Sequence, residues 1–269
     1  MDARTTQNCT IDLATWLAQP AGQYLCAWEQ AHLDKLTTDI FGFNAVQIGQ
    51  PQIHGLAASR MPNKWLTNNV AESLLDLEAS DAPSGVVHPD RRIVVLHDFA
   101  ELPFASQSLD LVVLPHILEF TDEPHQLLRE IERVLIPEGR LIICGFNPVS
   151  LWGLRQALGH VTGSHFLPKH NAFISLPRLK DWLELLNLRI DDGQFGCYAP
   201  AFTRQKWLQR CSFIEFAGQR WWPFFGAVYI LQAIKRVKGM HLIGPAWKKK
   251  PLLLHSGVPA ANRHHTSEK

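Results

Sequence analysis

Between Ile93 and Cys144 the sequence alternates unbroken apolar runs with polar turns and one amphipathic helix, and this succession constrains the fold most. Ile93-Val94-Val95-Leu96 is apolar at every position, and so, apart from Asp110, is Leu109 to Leu114, which ends at Pro115. Such runs suit strands covered on both faces, the situation of a parallel sheet between helical layers. Residues 122–135 predict a helix with Leu127, Leu128, Ile131, Val134 and Leu135 on one face and Arg129, Glu132 and Arg133 opposite. Asp122 and Glu123 at its start and Arg133 near its end suit the helix dipole. Pro137-Glu138-Gly139 reads as a break, with Arg140–Cys144 opening the next strand. Strand, connection, strand, helix, turn, strand is the pattern of βαβ units, whose crossovers build a mostly parallel sheet with helices on both faces.

The flanking segments extend this α/β pattern. Residues 11–40 read as helix, divided near Pro20-Ala21-Gly22, with Trp16, Leu17, Tyr24, Leu25, Trp28, Leu33 and Leu36 at helical spacing. Ala45–Ile48 is a short strand stopped by Gly49-Gln50-Pro51, and another strand is expected near Trp65–Thr67. Later come a helix from Leu176 to Leu186, a strand at Leu188–Asp191, a helix near Arg204–Glu215 and a final strand, Val228–Ile234. Gly244 to Lys269, rich in Pro, Lys, His and Ser, reads as a poorly ordered tail.

Charge is unevenly placed along the 269 residues. The formal total is +1, yet residues 1–203 hold 14 basic and 23 acidic side chains, while residues 204–269 hold 12 and 2. A histone-like or acidic-tail protein is excluded, but the basic end is free to meet a partner. The five cysteines, Cys9, Cys26, Cys144, Cys197 and Cys211, are odd in number and widely spaced, giving neither a disulfide framework nor a metal knuckle. The 13 histidines are scattered, so no metal site is expected. The N-terminus lacks a basic segment followed by an apolar one, and the longest apolar stretch, Trp221–Ile234, is broken by Pro223 and Gln232. A cytoplasmic protein is therefore expected.

In an open parallel sheet, ligands bind beyond the carboxyl ends of the strands. That rule selects Gly49-Gln50-Pro51, His97-Asp98-Phe99-Ala100, Pro115-His116 and Gly145-Phe146-Asn147-Pro148. Asp98 could accept hydrogen bonds from a ligand or cap a helix. His116 could serve as a base, since its ordinary pKa lies near neutrality, or as a structural histidine. Asn147 could present its amide to a substrate or form a turn with Pro148. Glu119 reads as a surface or capping residue.

The block from Val94 to Pro148 joins these features into motifs: Asp98 before Glu-Leu-Pro-Phe, a Ser-Leu-Asp strand opening, His-x-Leu-Glu after that strand, and Leu-Arg-Glu…Arg-Val-Leu-x-Pro-Glu-Gly. In these it resembles the central half of class I S-adenosylmethionine-dependent methyltransferases, and most closely the type 11 small-molecule enzymes. The resemblance implies a Rossmann-like fold of seven mostly parallel strands with an antiparallel last strand. It divides the chain into a helical extension, 1–40, a methyltransferase-like domain, 41–240, with a substrate-side insertion at 149–175, and a basic tail, 241–269. It implies S-adenosylmethionine as cofactor, a small-molecule methyl acceptor and no metal. Gly49 would be the first glycine of the cofactor loop, with Asp98 and Phe99 flanking the adenine. Pro115 and His116 would lie beneath the methionine moiety and beside the methyl group. His116 would be the base, where one is needed, and Asn147 would orient the acceptor.

One segment departs from that family. Its cofactor loop normally runs acid-x-Gly-x-Gly-x-Gly, whereas here Gln47 stands in the acid's place and Pro51 and Ile53 replace the later glycines. Two further readings thus stand beside the enzyme. One is a non-catalytic protein of the same fold. The other is a peripheral membrane or nucleic-acid binder using the basic end, where Trp221, Trp222, Phe224 and Phe225 adjoin Arg220, Lys235, Arg236 and Lys238, unless those aromatics cover the sheet.

Overall fold

A computed structural model of the chain describes residues 13, 15–68, 94–96, 101–162, 166–167, 173–201 and 212–236. The chain divides into two units, Met1–Val237 and Lys238–Lys269, and every described residue belongs to the first. The expected tail, 241–269, lies outside the described residues, as do Asp98 and Phe99.

Seven strands form one sheet: β1 (Asn44–Ile48), β2 (Asn63–Asn68), β3 (Val94–Leu96), β4 (Leu109–Pro115), β5 (Leu135–Phe146), β6 (Leu188–Gly196) and β7 (Val228–Lys235). Their spatial order is β3-β2-β1-β4-β5-β7-β6. The first five run parallel, and β7 runs antiparallel to both β5 and β6. From β1 the chain moves outward through β2 and β3, then returns to β4 on the other side of β1. The strand order therefore reverses between β1 and β4, and a crevice opens where their carboxyl ends diverge.

The alternating faces of the central strands feed two separate cores. Ala45, Leu111, Val113, Ile142, Phe146 and Ile230 pack on one side with Leu25, Trp28 and Leu33 of helix α1 (Pro20–Thr38). Val46, Val112, Leu114, Leu141, Ile143 and Leu231 pack on the other with helices α2 (Pro124–Val134) and α4 (Leu176–Leu185). Proline occupies the first turn of all three helices, where its missing N–H costs no helical bond. Helix α3 (Leu151–Thr162) buries Trp152 against Trp16 and Phe166, three rings meeting edge to face. Helix α5 (Ser212–Trp221) precedes a 3-10 turn, Pro223–Phe225, that leads into β7.

Three element boundaries differ from expectation. β5 begins at Leu135, so Pro137-Glu138-Gly139 lies within the strand rather than before it. Glu138 takes a left-handed φ of 65°, and the pairing with β4 shifts between Leu109 and Leu111, which is how an irregular start is absorbed. β6 runs on to Gly196 because, as the edge strand, it carries exposed polar residues that hide it from an apolar-run reading. The last helix extends to Trp221, beyond the expected end at Glu215, and residues 202–211 are outside the described set.

Helix α1 is seated partly by a missing side chain. The Trp28 indole lies directly over Gly196 at the end of β6, where a Cβ would overlap the ring. Gly196→Ala must displace Trp28 and the helix turn that carries it. We expect it to lower unfolding free energy by about 1–3 kcal/mol, read as a drop in urea midpoint at constant slope. An unchanged midpoint would show that α1 is not held by this contact.

Candidate functional site

The turn that follows β1 is organised by one amide. Gln47, in β1, donates through Nε2 to the carbonyl oxygens of Gly49 (3.2 Å), Gln50 (3.0 Å) and Ile53 (2.7 Å). Its Oε1 accepts from the Gly55 N–H at 2.9 Å. A carboxylate here could meet Gly55 but would face three carbonyl oxygens without a proton to offer. Within the loop, Gly49 has φ +79° and leaves no room for a side chain, because a Cβ would sit 2.8 Å from Ile117 Cδ1. Gln50 also has positive φ, at 39°, a conformation few non-glycine residues take. Its side chain is wholly buried, and neither its Oε1 nor its Nε2 meets a hydrogen-bond partner among the described residues.

Across the crevice, β4 ends at Pro115, which is buried and paired with Cys144 of β5. His116 follows with a left-handed φ of 55°. The register pairs Gln47 with Val113, and the turns beyond the two strands come close, since a Cβ on Gly49 would sit 2.8 Å from Ile117 Cδ1. The His116 ring is fully buried between two carboxylates: Nε2 lies 2.8 Å from Glu29 Oε1, and Nδ1 lies 3.2 Å from Glu119 Oε2. Phe146 packs against its face with centroids 4.3 Å apart. Glu119 Oε1 in turn accepts the Phe146 N–H. Glu29 Oε2, also buried, has no partner among the described residues.

These three groups share a charge state. Burial by itself lowers the pKa of His116, but the Glu29 charge and hydrogen bonds to both carboxylates overcome this and raise it to about 10. Burial raises the pKa of Glu119, opposed chiefly by its bond to His116. Both ring nitrogens of His116 thus lie within hydrogen-bond distance of a buried carboxyl group, one from α1 and one from the turn after β4.

The expected roles fare differently. Gly49, Pro115 and His116 come together at the ends of β1 and β4, whereas Asp98 and Phe99 lie outside the described residues. His116, expected as the base, has both ring nitrogens within hydrogen-bond distance of carboxyl groups, those of Glu29 and Glu119. Asn147, expected to orient the acceptor, makes hydrogen bonds to nearby backbone. Its Nδ2 donates to the Phe224 and Gly226 carbonyls at 2.8 and 2.9 Å, and its Oδ1 accepts the Val149 N–H at 3.1 Å. Glu119, read as surface or cap, is buried. Glu29 and Gln50 went unrecognised as site residues. A glutamate inside an amphipathic helix gives no signal of facing inward, although its position one residue after Trp28 places it next to the buried face.

No group of three or more metal-ligating side chains occurs among the described residues. No helix among them is long and apolar enough to cross a membrane.

Comparison with known proteins identifies what this crevice resembles. Residues 56–143 match the family described as Methyltransferase domain. The uncharacterized protein YafS of Escherichia coli (strain K12) is 42% identical over 150 residues, covering 52% of this chain and 62% of that protein. Malonyl-acyl-carrier-protein O-methyltransferase of Methylovorus sp. (strain MP688) is 38% identical over 153 residues, covering 50% of this chain and 51% of that protein. The chain thus spans less than two thirds of the length of these curated relatives. A Haloferax volcanii protein solved in complex with the methyltransferase activator Trm112 shares the fold, with a TM-score of 0.57 at 16% identity over 86% of this chain and 98% of that one.

Two substitutions probe the site without ligand. In Gln47→Glu the new carboxylate faces carbonyl oxygens, and we expect about 1–3 kcal/mol of lost stability at neutral pH, partly regained in acid as the carboxyl protonates. An equal loss at both pH values would point to shape rather than charge. For His116 the folded pKa stands above the unfolded one, so its stabilisation is fully present below pH 6.5 and is lost as pH rises through about 10. Urea unfolding of the wild type should show stability falling across that window. His116→Gln should be weaker by about 3–5 kcal/mol at pH 7, with a flatter profile. A variant profile as steep as the wild type's would remove His116 from the account.

Proposed function

We propose that the chain is a class I S-adenosylmethionine-dependent methyltransferase that transfers a methyl group from S-adenosylmethionine to a small-molecule acceptor, a reading supported by the methyltransferase-domain match over residues 56–143. One observation carries the proposal. Beyond the carboxyl ends of β1 and β4 lie a buried, unpartnered amide, Gln50, and the His116 ring held between Glu119 and Glu29, whose second oxygen is also unpartnered among the described residues. Buried polar groups without partners cost about 1–3 kcal/mol each, so a site that keeps them is shaped for a bound group that supplies the partners. A cofactor with hydroxyl, amino and sulfonium functions fits both the donors and the negative charge.

Gly49 and Gln50 would line one wall of the cofactor site, and Pro115 and Glu29 the other, with Asp98 and Phe99 proposed at the adenine end. When bound, the cofactor supplies an electrophilic methyl group on a sulfonium, which an acceptor's lone pair attacks while the sulfur keeps the bonding electrons. The chain's own contribution is alignment and exclusion of water. Glu29 places a negative charge where the cofactor is positive. His116 acts as a positioning residue, holding the Glu29 carboxyl group in one orientation. Neither residue abstracts a proton. The acceptor is therefore one whose nucleophilic atom arrives deprotonated or loses its proton to water.

A second reading, a non-catalytic protein of this fold, is favoured by the loop itself. Pro51 cannot donate a backbone N–H to a ligand, and Ile53 is buried in the core. Calorimetry separates the two readings. We expect saturable heat with S-adenosylmethionine, and in Glu29→Gln an affinity weakened about tenfold, near 1.4 kcal/mol, with S-adenosylhomocysteine, which lacks the sulfonium charge, much less affected. No heat at millimolar cofactor would overturn the enzyme reading. Equal losses for both ligands would overturn the role given to Glu29.

A further inference from the structure

Nine of the twelve large apolar side chains exposed among the described residues gather on two elements. On α3 and its approach, Val149, Leu151, Leu154 and Leu158 face outward, while Trp152 and Gln156 of the same helix face in. On α5 and the turn beyond it, Phe216, Trp221, Trp222, Phe224 and Phe225 are each more than half exposed. The sequence alone left open that these aromatics cover the sheet; Phe224 meets Phe195 of β6 edge to face, yet it and its neighbours stay more than half exposed. Residues 219–225 are exposed without interruption, and nothing in Pro223–Phe225 is buried. The two elements are fastened to one another by Asn147, which immediately precedes α3 in the chain and binds the Phe224 and Gly226 carbonyls.

The charge on this face has one sign. Glu215, the acid of α5, is turned inward and accepts from the backbone N–H groups of Cys197 and Tyr198 and from the Tyr24 hydroxyl. Arg220 remains exposed beside Trp221. No Asp or Glu occurs in 149–162. Lys235 and Arg236 do not add to the face, because they pair with Glu132 and Glu138.

We propose that this face seats the protein on a phospholipid surface carrying anionic headgroups. The apolar rings and leucines enter the headgroup–acyl boundary, and the cations meet the phosphates. A protruding turn that shows Trp-Trp-Pro-Phe-Phe with nothing buried has the form of a wedge into a soft boundary. Trp, with an apolar body and one N–H, is suited to that depth. α3 starts just past the carboxyl end of β5, so the docked face adjoins the edge of the sheet that carries Gly49 and His116.

The test is co-sedimentation of the full chain with vesicles of phosphatidylcholine alone and of phosphatidylcholine mixed with phosphatidylglycerol. The wild type should sediment with the mixed vesicles, more weakly with the neutral ones, and less as salt rises. Trp221→Ser/Trp222→Ser and Leu154→Ser/Leu158→Ser, on the two separate elements, should each lower partitioning about tenfold or more. All four residues are more than half exposed, so circular dichroism and cofactor heats should be unchanged. A wild type left in the supernatant by both vesicle types would overturn the proposal, as would variants that sediment like the wild type. So would light scattering that shows a dimer dissolved by the tryptophan substitutions, since the face would then seat a second copy. Loss of cofactor binding with vesicle binding intact would count against the methyltransferase reading and leave this one standing.

Discussion

The imidazolium of His116 ties together parts of the chain that the sheet alone does not. One ring nitrogen holds Glu29 on α1, before the first strand; the other holds Glu119, which grips the backbone of Phe146 at the end of β5. Helix α1, the turn after β4 and the end of β5 are thus fixed to a single charged group with no access to water. Removing any member leaves a buried charge unpaired, a far larger penalty than the net gain of forming the pair. The left-handed backbone at His116 belongs to the same constraint. Such a conformation persists in a bulky residue only where the surroundings over-determine it, and two carboxylates and an aromatic face do so here.

The βαβ centre was legible because its signals are periodic. The apolar runs ending at Leu96 and Leu114 contain strands β3 and β4, and the stripe of Leu127, Leu128, Ile131 and Val134 fixes the buried face of α2. The strand ends followed from topology, so Gly49, Pro115 and His116 were found by position before their chemistry was known. What stayed hidden was chemistry that depends on distant partners. Glu29 and His116 are 87 residues apart, and nothing local marks either as half of a buried pair. Asn147 looked like an offered amide because its acceptors, the Phe224 and Gly226 carbonyls, belong to a segment almost eighty positions later. The start of β5 was hidden for another reason. Pro137 and Gly139 are strand breakers by propensity, but an irregular pairing at the edge of a parallel ladder accommodates both.

The altered loop after β1 becomes intelligible once its hydrogen bonds are counted. Without the later glycines, the turn closes on itself through carbonyl oxygens, and these need a donor. Gln47 supplies one to three of them, which an acid could not do, so the loss of the acid and the loss of the glycines are two aspects of one rearrangement. The negative charge absent from position 47 is not absent from the crevice. A carboxyl group enters from the other wall, on Glu29, hydrogen-bonded to His116.

That relocation makes α1 part of the site rather than a cover over it. In a crevice whose charge sits on the sheet, the preceding helix could move without electrostatic consequence. Here the helix carries the carboxylate, so its seating on Gly196 through Trp28 and the charge presented at the β1–β4 switch point are mechanically one quantity. The exposed aromatic turn is also joined to this framework. Gly226, held by Asn147, touches the backbone of Gly196 closely enough that a Cβ on either residue would meet a neighbour. Whatever displaces the 221–225 turn therefore bears on the strand end beneath Trp28, and through it on the helix that positions Glu29.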